Sequence, residues 1–383
     1  MTVADTQTKP VGVGLIGAGW MGAFHAETLA RRLPGARLAG IADPAPGAAE
    51  RLAGSLGAPK ATTDPAELLA DPAVEAVLIA APARFHADLV VAAAGAGKAV
   101  FCEKPMALTL ADADRAIAAT QAAGVPLQVG FNRRFDPGFR AAHDLVAAGR
   151  LGTPQLLRSL TRDPGIPDPG RVPPSTIFLE TLIHDFDTLR YLNPGAEAVE
   201  VYAVADALAY PQFRDQGLQD TAVVLIRFDN GAMATAEASF HAVYGYDIRG
   251  EVFGSAGMAT AGDLRRTTMA YHGAEGVVAD TWRRNIDLFQ HAYTAELAAF
   301  VDGVRAGATP EPGGQDARAA LAIALAAIGS VDTGRPRCDS ARSSSGDLTG
   351  ALDRGSYLLR RVAGRHPTPP GGASTDDPDG RSH

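Results

Sequence analysis

The sequence is poor in cysteine and in long apolar runs, and each shortage excludes a class of protein. Its two cysteines, Cys102 and Cys338, cannot build a disulfide framework and favour a reducing compartment, so we expect a cytoplasmic protein. No apolar run approaches the roughly 20 residues that span a bilayer. Residues 1–10 lack the basic-then-apolar order of a signal peptide. We therefore expect no membrane segment.

An excess of positive charge is also missing. Lys and Arg total 35 against 43 Asp and Glu, which gives a net charge of −8, and the basic residues form no long block. Proteins that bind nucleic acid or an anionic membrane usually present a basic surface. We therefore expect neither partner.

Spacings that hold a metal or activate a nucleophile are absent too. The nine histidines and two cysteines show no HxxxH, HExxH or CxxC spacing, and no GxSxG turn occurs. No metal site is predicted, although Asp185 and Asp187 flank His184. Cys102 ends an apolar run, so burial is expected for it rather than a nucleophilic role.

The first 130 residues alternate short apolar runs with amphipathic stretches, which is typical of a parallel sheet with crossover helices. Asp64-Pro65 and Thr109 are expected to begin helices, and Gly124 to end one. The predicted strands are Val11–Ile16, Ala36–Ala42, Val74–Ala81, Ala99–Cys102 and Leu127–Gly130. The expected fold class is α/β, with a doubly wound parallel sheet in residues 10–131.

Beyond Phe131 the pattern favours antiparallel strands. Asp229-Asn230-Gly231 joins two of them as a hairpin signal. The predicted strands are Gln155–Thr161, Glu197–Ala205, Asp220–Phe228, Ala232–Phe240 and Asp247–Phe253, and the predicted helices are His291–Arg305 and Asp316–Ser330. Residues 132–338 are thus predicted to form an α+β domain with a large, mainly antiparallel open sheet. Residues 339–383, rich in Ser, Gly, Pro and Asp, are predicted to be a disordered tail.

A glycine-rich turn follows the first predicted strand. The run Gly17-Ala18-Gly19-Trp20-Met21-Gly22 opens a helix, as in loops that cradle a pyrophosphate. Asp43 ends the next strand, where a carboxylate binds ribose hydroxyls. Its charge disfavours a 2′-phosphate, so NAD is favoured over NADP, although Arg51 on the following helix could reach back.

The ends of two other strands carry candidates for chemistry. Glu103-Lys104-Pro105 follows the fourth strand, at the carboxyl edge where open α/β sheets bind their ligands. Burial there would favour a neutral lysine that exchanges protons, whereas a lone lysine is more often a solvated charge. Ala81, Pro82 and His86 follow the third strand and are expected along the nicotinamide side, with a structural role for His86 the commoner outcome.

Residues 178–192 have apolar positions at helical spacing, which predicts a helix with a polar opposite face. Glu180 and His184 lie one turn apart on that face, so the carboxylate is predicted to hydrogen-bond the imidazole and raise its basicity. The alternative is a solvated pair, since polar helix faces usually meet water.

Several segments together resemble the glucose-fructose oxidoreductase/inositol dehydrogenase (Gfo/Idh/MocA) family, most of all its inositol 2-dehydrogenase branch. They are VGLIGAGWMG, IADP, FCEKPMAL, GFNRRFDPGF, ETLIHDFD, YGYDIRGEVFGSAGM and AYTAELAAFVDGVRAG. The resemblance extends to about Arg337. It implies a Rossmann domain with a large mixed sheet behind it, NAD as cofactor, and hydride transfer from a secondary ring alcohol of a polyol or cyclitol.

The resemblance also implies residue roles. Lys104 falls on the family's EKP lysine, His184 on its catalytic histidine, and Glu180 where inositol dehydrogenases carry aspartate. Residues in the segments that line the polyol site are Asn132, Arg133, Asp163, Tyr244, Tyr246 and Tyr293. Asp163 stands where asparagine is expected, and its added charge favours an amine-bearing cyclitol or sugar. A homo-oligomer, dimer or tetramer, is also expected.

Other functions stay open at this point. One is a non-catalytic NAD-sensing regulator on the same scaffold, against which the presence of Lys104 and His184 argues. Another is an NAD-dependent glycosidase that oxidises and reduces its substrate within one turnover. A third is a dehydrogenase of a different sugar. Net formation of NADH with a polyol separates the first two from a dehydrogenase.

Overall fold

The computed structural model describes residues 9–166, 172–308 and 310–338. Its first sheet is parallel, with strand order β3-β2-β1-β4-β5-β6. The strands are β1 Val11–Ile16, β2 Ala36–Ala42, β3 Ala61–Thr62, β4 Ala76–Ile79, β5 Ala99–Cys102 and β6 Leu127–Val129. The strand order reverses at β1 and β4: the chain runs outwards from β1 to β3 on one side and from β4 to β6 on the other. The carboxyl ends of β1 and β4 therefore flank a crevice. The predicted doubly wound sheet is confirmed, and only the two-residue β3 was not predicted.

The helices of this half are α1 Trp20–Arg31, α2 Ala48–Leu56, α3 Pro65–Leu69, α4 His86–Gly95 and α5 Leu110–Ala123. The structure confirms the helix boundaries that were predicted in this half: the start of α1 after the glycine turn, the start of α3 at Asp64-Pro65, and both ends of α5. The Asp64 carboxylate accepts the Ala66 N–H at 2.8 Å, and the Thr109 hydroxyl accepts the Asp112 N–H at 3.1 Å. Each cap satisfies an N–H that the first helical turn leaves without a partner. Gly124 ends α5 with a left-handed φ of 65°.

The second sheet has strand order β12-β11-β7-β10-β9-β8. Four of its five pairings are antiparallel, and β7 with β10 is the parallel one, which confirms a mainly antiparallel sheet. Its strands are β7 Pro154–Arg162, β8 Ala198–Asp206, β9 Thr221–Phe228, β10 Met233–Ser239, β11 Asp247–Gly254 and β12 Gly257–Ala261. A separate hairpin follows, formed by β13 Arg265–Gly273 and β14 Gly276–Thr281. The sequence did not predict β12, β13 or β14.

Helices of the second half cover the second sheet and reach the first. They are α6 Pro137–Ala147, a π-helix Ile177–Leu182, α7 Ile183–Tyr191, α8 Asn285–Leu288, α9 Gln290–Ala306 and α10 Gly314–Thr333. One hydrophobic core includes Val129 of β6, Leu182 of the π-helix and Val224 of β9. The two sheets therefore share a core. No helix of the described residues is long and apolar enough to cross a membrane.

Two predictions about organisation are not tested. The boundary at residue 131 stays a prediction, because α10 contacts both α5 and β8. The predicted tail, 339–383, lies outside the described residues.

Gly22 is the position in α1 where the backbone allows no side chain. A Cβ built there would lie 1.9 Å from the carbonyl oxygen of Gly17, whose own φ is +102°. Gly54, on the exposed side of α2, meets no atom within 4 Å. Gly22 is therefore required by the close approach of the Gly17 carbonyl, whereas the space around Gly54 would accept a side chain.

We expect Gly22→Ala and Gly54→Ala to change stability in opposite directions. The first should lower the free energy of unfolding by about 1–3 kcal/mol through overpacking. The second should raise it by about 0.5–1 kcal/mol, because alanine loses less backbone entropy in a helix. Denaturant unfolding of both variants checks this, and a Gly22→Ala protein as stable as wild type would contradict the packing described here.

Candidate active site

A cavity of about 970 Å³ lies at the carboxyl edge of the first sheet, at the ends of the neighbouring strands β1 and β4. Such crevices are the usual ligand sites of open α/β sheets. The predicted site residues that line it are Gly17, Gly19, Trp20, Met21, Asp43, Ala81, Pro82, His86, Glu103, Lys104, Asn132, Arg133, Asp163, Glu180, His184, Tyr246 and Tyr293. Gly22 and Tyr244 are not among its lining residues. The fold thus gathers nearly all candidates at one place.

The glycine loop and Asp43 form a cradle that fits a dinucleotide. A Cβ at Gly19 would meet nothing within 4 Å, so the loop leaves open space before the N-terminus of α1. Asp43 accepts the Ala18 N–H at 2.7 Å and the Ala45 N–H at 2.8 Å. These bonds fix the carboxylate at the end of β2, beside the cavity. A pyrophosphate is favoured at the helix N-terminus, and ribose hydroxyls are favoured at Asp43.

His86 connects two walls of the cavity. Its ring nitrogens contact the carbonyl oxygens of Pro105 at 2.8 Å and Ala81 at 2.7 Å, and the side chain is buried. The imidazole therefore fixes the end of β4 against the segment that follows Lys104. A structural role accounts for these contacts.

Lys104 and Glu180 form an ion pair across the cavity. The Lys104 Nζ atom donates to the Glu180 carboxylate and to the Glu180 carbonyl oxygen, both at 2.9 Å. The predicted bond between Glu180 and His184 is therefore wrong. Residues 177–182 form a π-helix, whose wider turn changes which side chains share a face. The Glu180 carboxylate, four residues before His184, therefore contacts Lys104 and not the imidazole.

His184 is held in its neutral form. Burial first, and then the positive charges of Lys104 and Arg133, lower the pKa of His184 well below its usual range. Its Nδ1 atom is buried and has no hydrogen-bond partner among the described residues. Its ring meets Phe131 edge-on, at 6.0 Å between centroids. A neutral imidazole has a free nitrogen lone pair, so His184 is able to accept a proton.

The acids that flank His184 are structural. Asp185 accepts from Arg133 at 2.8 Å and from Ser159 at 2.6 Å, which holds the arginine in the cavity wall. Asp187 is 1% exposed and pairs with Arg134. On the polar face predicted for this helix, Asp187 is thus buried in an ion pair rather than solvated. These pairs account for both acids without a metal ion.

The three predicted tyrosines divide into two groups. Burial and the neighbouring charge of Asp163 raise the pKa of Tyr246, and burial followed by Glu103 raises the pKa of Tyr293, so both hydroxyls stay protonated in the cavity wall. Tyr244 is exposed, and its hydroxyl donates to Asp247 at 2.9 Å. Tyr244 therefore lies outside the cavity lining, in contrast to the prediction that it lines the polyol site.

A buried cluster behind Lys104 was not predicted. His25 Nε2 lies 2.6 Å from the Glu103 carboxylate, and ligand atoms of His25, Glu103 and Glu296 all lie within 4.8 Å of one another. Both carboxylate oxygens of Glu296 are buried without a partner among the described residues. The available signal was the three-residue spacing of Tyr293 and Glu296, which places both on one face of α9.

The cluster separates the pKa values of its two acids. Desolvation would raise the pKa of Glu103, but the hydrogen bond and charge of His25 outweigh it and lower that pKa. Burial, and then repulsion from Glu103, raise the pKa of Glu296 well above its usual range. Glu103 is thus a carboxylate, and Glu296 is a neutral acid.

We expect Glu296→Gln to change how stability depends on pH. A raised folded-state pKa means that the native state binds the proton more tightly than the unfolded state. Wild-type stability therefore falls as pH rises above the unfolded value of about 4.3, by at most about 1.4 kcal/mol per pH unit. Glutamine does not titrate, so the stability of the variant relative to wild type should increase with pH.

Unfolding in denaturant between about pH 5 and about pH 8 measures this difference. Glu275→Gln, on the exposed β13–β14 hairpin, is the matched control for the change from glutamate to glutamine. A difference between Glu296→Gln and wild type that does not change with pH would contradict the neutral acid.

Comparison with known proteins places these features in a family. Residues 11–131 match the model of an oxidoreductase family with an NAD-binding Rossmann fold, and residues 139–260 match a GFO/IDH/MocA C-terminal domain. A myo-inositol 2-dehydrogenase of Thermotoga maritima is 40% identical over 84% of this chain and 97% of its own length. An NAD(+)-dependent scyllo-inositol 2-dehydrogenase of Bacillus subtilis is 38% identical over 84% and 94%.

Solved structures agree with the sequence relatives. A crystal structure of scyllo-inositol dehydrogenase from Lactobacillus casei, with bound NAD(H) and scyllo-inositol, superposes with a TM-score of 0.81. It is 26% identical and covers 87% of this chain and all of that one. The chain belongs to the GFO/IDH/MocA family of NAD-binding oxidoreductases.

Proposed function

We propose that this protein is an NAD-dependent dehydrogenase that oxidises a secondary ring hydroxyl of a cyclitol, an inositol or aminoinositol, to the ketone. The observation that carries the proposal is the meeting of the Lys104 ammonium and the neutral His184 imidazole in one cavity with the dinucleotide loop. The inositol substrates in the names of its relatives support the substrate class.

The first half of the cavity holds the cofactor. Gly17, Gly19 and the N-terminus of α1 receive the pyrophosphate, and Asp43 accepts hydrogen bonds from the ribose. The negative charge of Asp43 repels a 2′-phosphate, which favours NAD over NADP. NAD, when bound, supplies the hydride acceptor.

Two residues act on the substrate hydroxyl. The neutral imidazole of His184 takes the proton of the substrate hydroxyl, and Lys104 donates a hydrogen bond to the same oxygen and stabilises its developing charge. Glu180 holds the Lys104 ammonium in place. The roles reverse when the ketone is reduced.

The substrate lies against residues of the second half. Asn132 and Arg133 belong to a short 3₁₀ segment at the cavity wall, and the Arg133 guanidinium is fixed by Asp185. Tyr246 and Tyr293 add protonated hydroxyls, which donate to or accept from a polyol. This wall supplies the directional polar groups that a ring with several hydroxyls requires.

A non-catalytic regulator is the second candidate. It needs NAD binding without proton transfer, and the presence of both Lys104 and His184 in the cavity argues against it. A transient oxidation, as in an NAD-dependent glycosidase, leaves no net NADH. Accumulation of NADH with an inositol therefore distinguishes the dehydrogenase from both.

The open face of the second sheet supports assembly with a second copy, as a dimer or tetramer. Met258, Phe253, Leu156 and Met233 are direct cross-strand neighbours on β12, β11, β7 and β10. Each is 43–55% exposed in the described part of the chain. Monomers rarely present a contiguous apolar row of this kind to water. The cytoplasmic location stays a prediction from the cysteine content.

We expect Lys104→Ala and His184→Ala each to lower kcat by roughly two to four orders of magnitude, because each removes a group that handles the proton or the charge on oxygen. The Kd for NAD should stay within a few-fold of wild type. Steady-state kinetics with inositols, together with NAD titrations, measure both quantities.

Lys60→Ala and His143→Ala are matched controls, because neither residue lines the cavity. Both should keep wild-type turnover. Turnover near wild type in Lys104→Ala would remove the mechanism proposed here.

We expect Leu156→Glu to shift the oligomer towards the monomer, since it places a charge in the middle of the apolar row. Sedimentation velocity measures the change. Leu145→Glu, an exposed leucine of α6, should leave the assembly unchanged. A wild-type protein that sediments as a monomer would refute assembly through this face.

A further inference from the structure

Asp163 carries a charge that the described residues leave unpaired. It directly follows β7, and its backbone is fixed on both sides: its N–H donates to the Ser239 carbonyl at 2.8 Å, and its carbonyl accepts from the Ala242 N–H at 2.7 Å. The side chain lies in the cavity wall. Its carboxylate makes no hydrogen bond or ion pair with another residue of the described ranges. A carboxylate on a fixed backbone therefore lines the cavity that we propose holds the substrate.

The other charges around this space are neutralised in pairs. Lys104 is paired with Glu180 at 2.9 Å, and Arg133 is paired with Asp185 at 2.8 Å. His184 is neutral, because burial and the nearby cations lower its pKa. The substrate side of the cavity is thus left with one net negative charge, which is located on Asp163.

A carboxylate in this position is costly without a partner. Desolvation outweighs the attraction of Arg133 and Lys104 and raises the pKa of Asp163 to about 6. At neutral pH the group is still mostly ionised, so its charge is poorly solvated. Hydroxyl groups of a neutral cyclitol donate hydrogen bonds to it but leave the charge unbalanced. An ammonium group provides both the hydrogen bonds and the opposite charge.

We propose that the preferred substrate is a cyclitol that carries an amino group, and that Asp163 binds the ammonium while a hydroxyl elsewhere on the ring is oxidised. This inference rests on the dehydrogenase activity proposed above and narrows its substrate class. The amino group takes no part in the chemistry: the reacting carbon loses a hydride to NAD, and its hydroxyl loses a proton to the protein, as for a neutral inositol. Asp163 is accordingly a specificity-determining residue and not a proton-transfer group.

The test compares kcat/KM for scyllo-inosamine, a ring with one amino group, with kcat/KM for scyllo-inositol. Assays at about pH 7.5 keep the amine protonated. We expect the wild-type enzyme to prefer the amine by at least roughly tenfold. Asp163→Asn keeps the shape and removes the charge, so it should lower the ratio of kcat/KM for the amine to kcat/KM for scyllo-inositol by roughly 10- to 100-fold.

Two further variants separate charge from other effects. Asp163→Glu keeps the charge and should keep the preference for the amine, even at a lower rate. If the Asp163→Asn protein fails to fold, loss of the preference in Asp163→Glu would still contradict the role of the charge. Asp302→Asn removes one exposed negative charge outside the cavity and should leave the ratio unchanged.

The inference and the proposed function fail in different ways. If no cyclitol yields NADH in the wild-type enzyme, the proposed function is wrong. If scyllo-inositol is oxidised at least as well as the amine, or if Asp163→Asn weakens both substrates equally, the dehydrogenase stands and the amine preference is overturned. If the amine preference is overturned, Asp163 accepts hydrogen bonds from ring hydroxyls only.

Discussion

The site depends on the contact between Lys104 and Glu180. Lys104 follows β5 of the parallel sheet, and Glu180 lies in the π-helix of the second half, so this ion pair connects the two halves at the cavity. The lysine is mostly buried, and a buried ammonium is stable only when it is paired and hydrogen-bonded. The carboxylate and the carbonyl of the same residue supply both, which fixes the ammonium beside His184.

Burial and neighbouring charges together determine the charge of the surrounding groups. Burial, and then the positive charges of Lys104 and Arg133, keep the imidazole of His184 neutral. Behind the lysine, His25 stabilises the Glu103 carboxylate, and burial followed by the charge of that carboxylate keeps Glu296 protonated. Among the described residues on the substrate side of the cavity, opposite charges are therefore paired, and Asp163 is the exception.

Local sequence signals predicted the parallel sheet well. The strands β1, β2 and β5 match their predicted bounds, because each is a buried apolar run bounded by turn residues. The strand β13 is exposed along nearly its whole length, so it lacks the apolar alternation that marks a strand.

The site was predictable only in part. The position of Lys104 at the sheet edge and the family resemblance predicted that Lys104 and His184 lie in one cavity. The π-helix has no signature in composition, and the partner of Glu180 was wrong for that reason. The His25–Glu103–Glu296 cluster joins residues far apart in the chain, which no local pattern reveals.

The most direct test of the central claim follows the hydrogen atom. A cyclitol deuterated at the reacting ring carbon is oxidised with unlabelled NAD, and the NADH is analysed by mass spectrometry. If Lys104 and His184 serve a hydride transfer, the NADH carries one deuterium atom and the ketone carries none at that carbon. Unlabelled NADH, or a deuterated carbon retained in a product formed without NADH, would contradict the account.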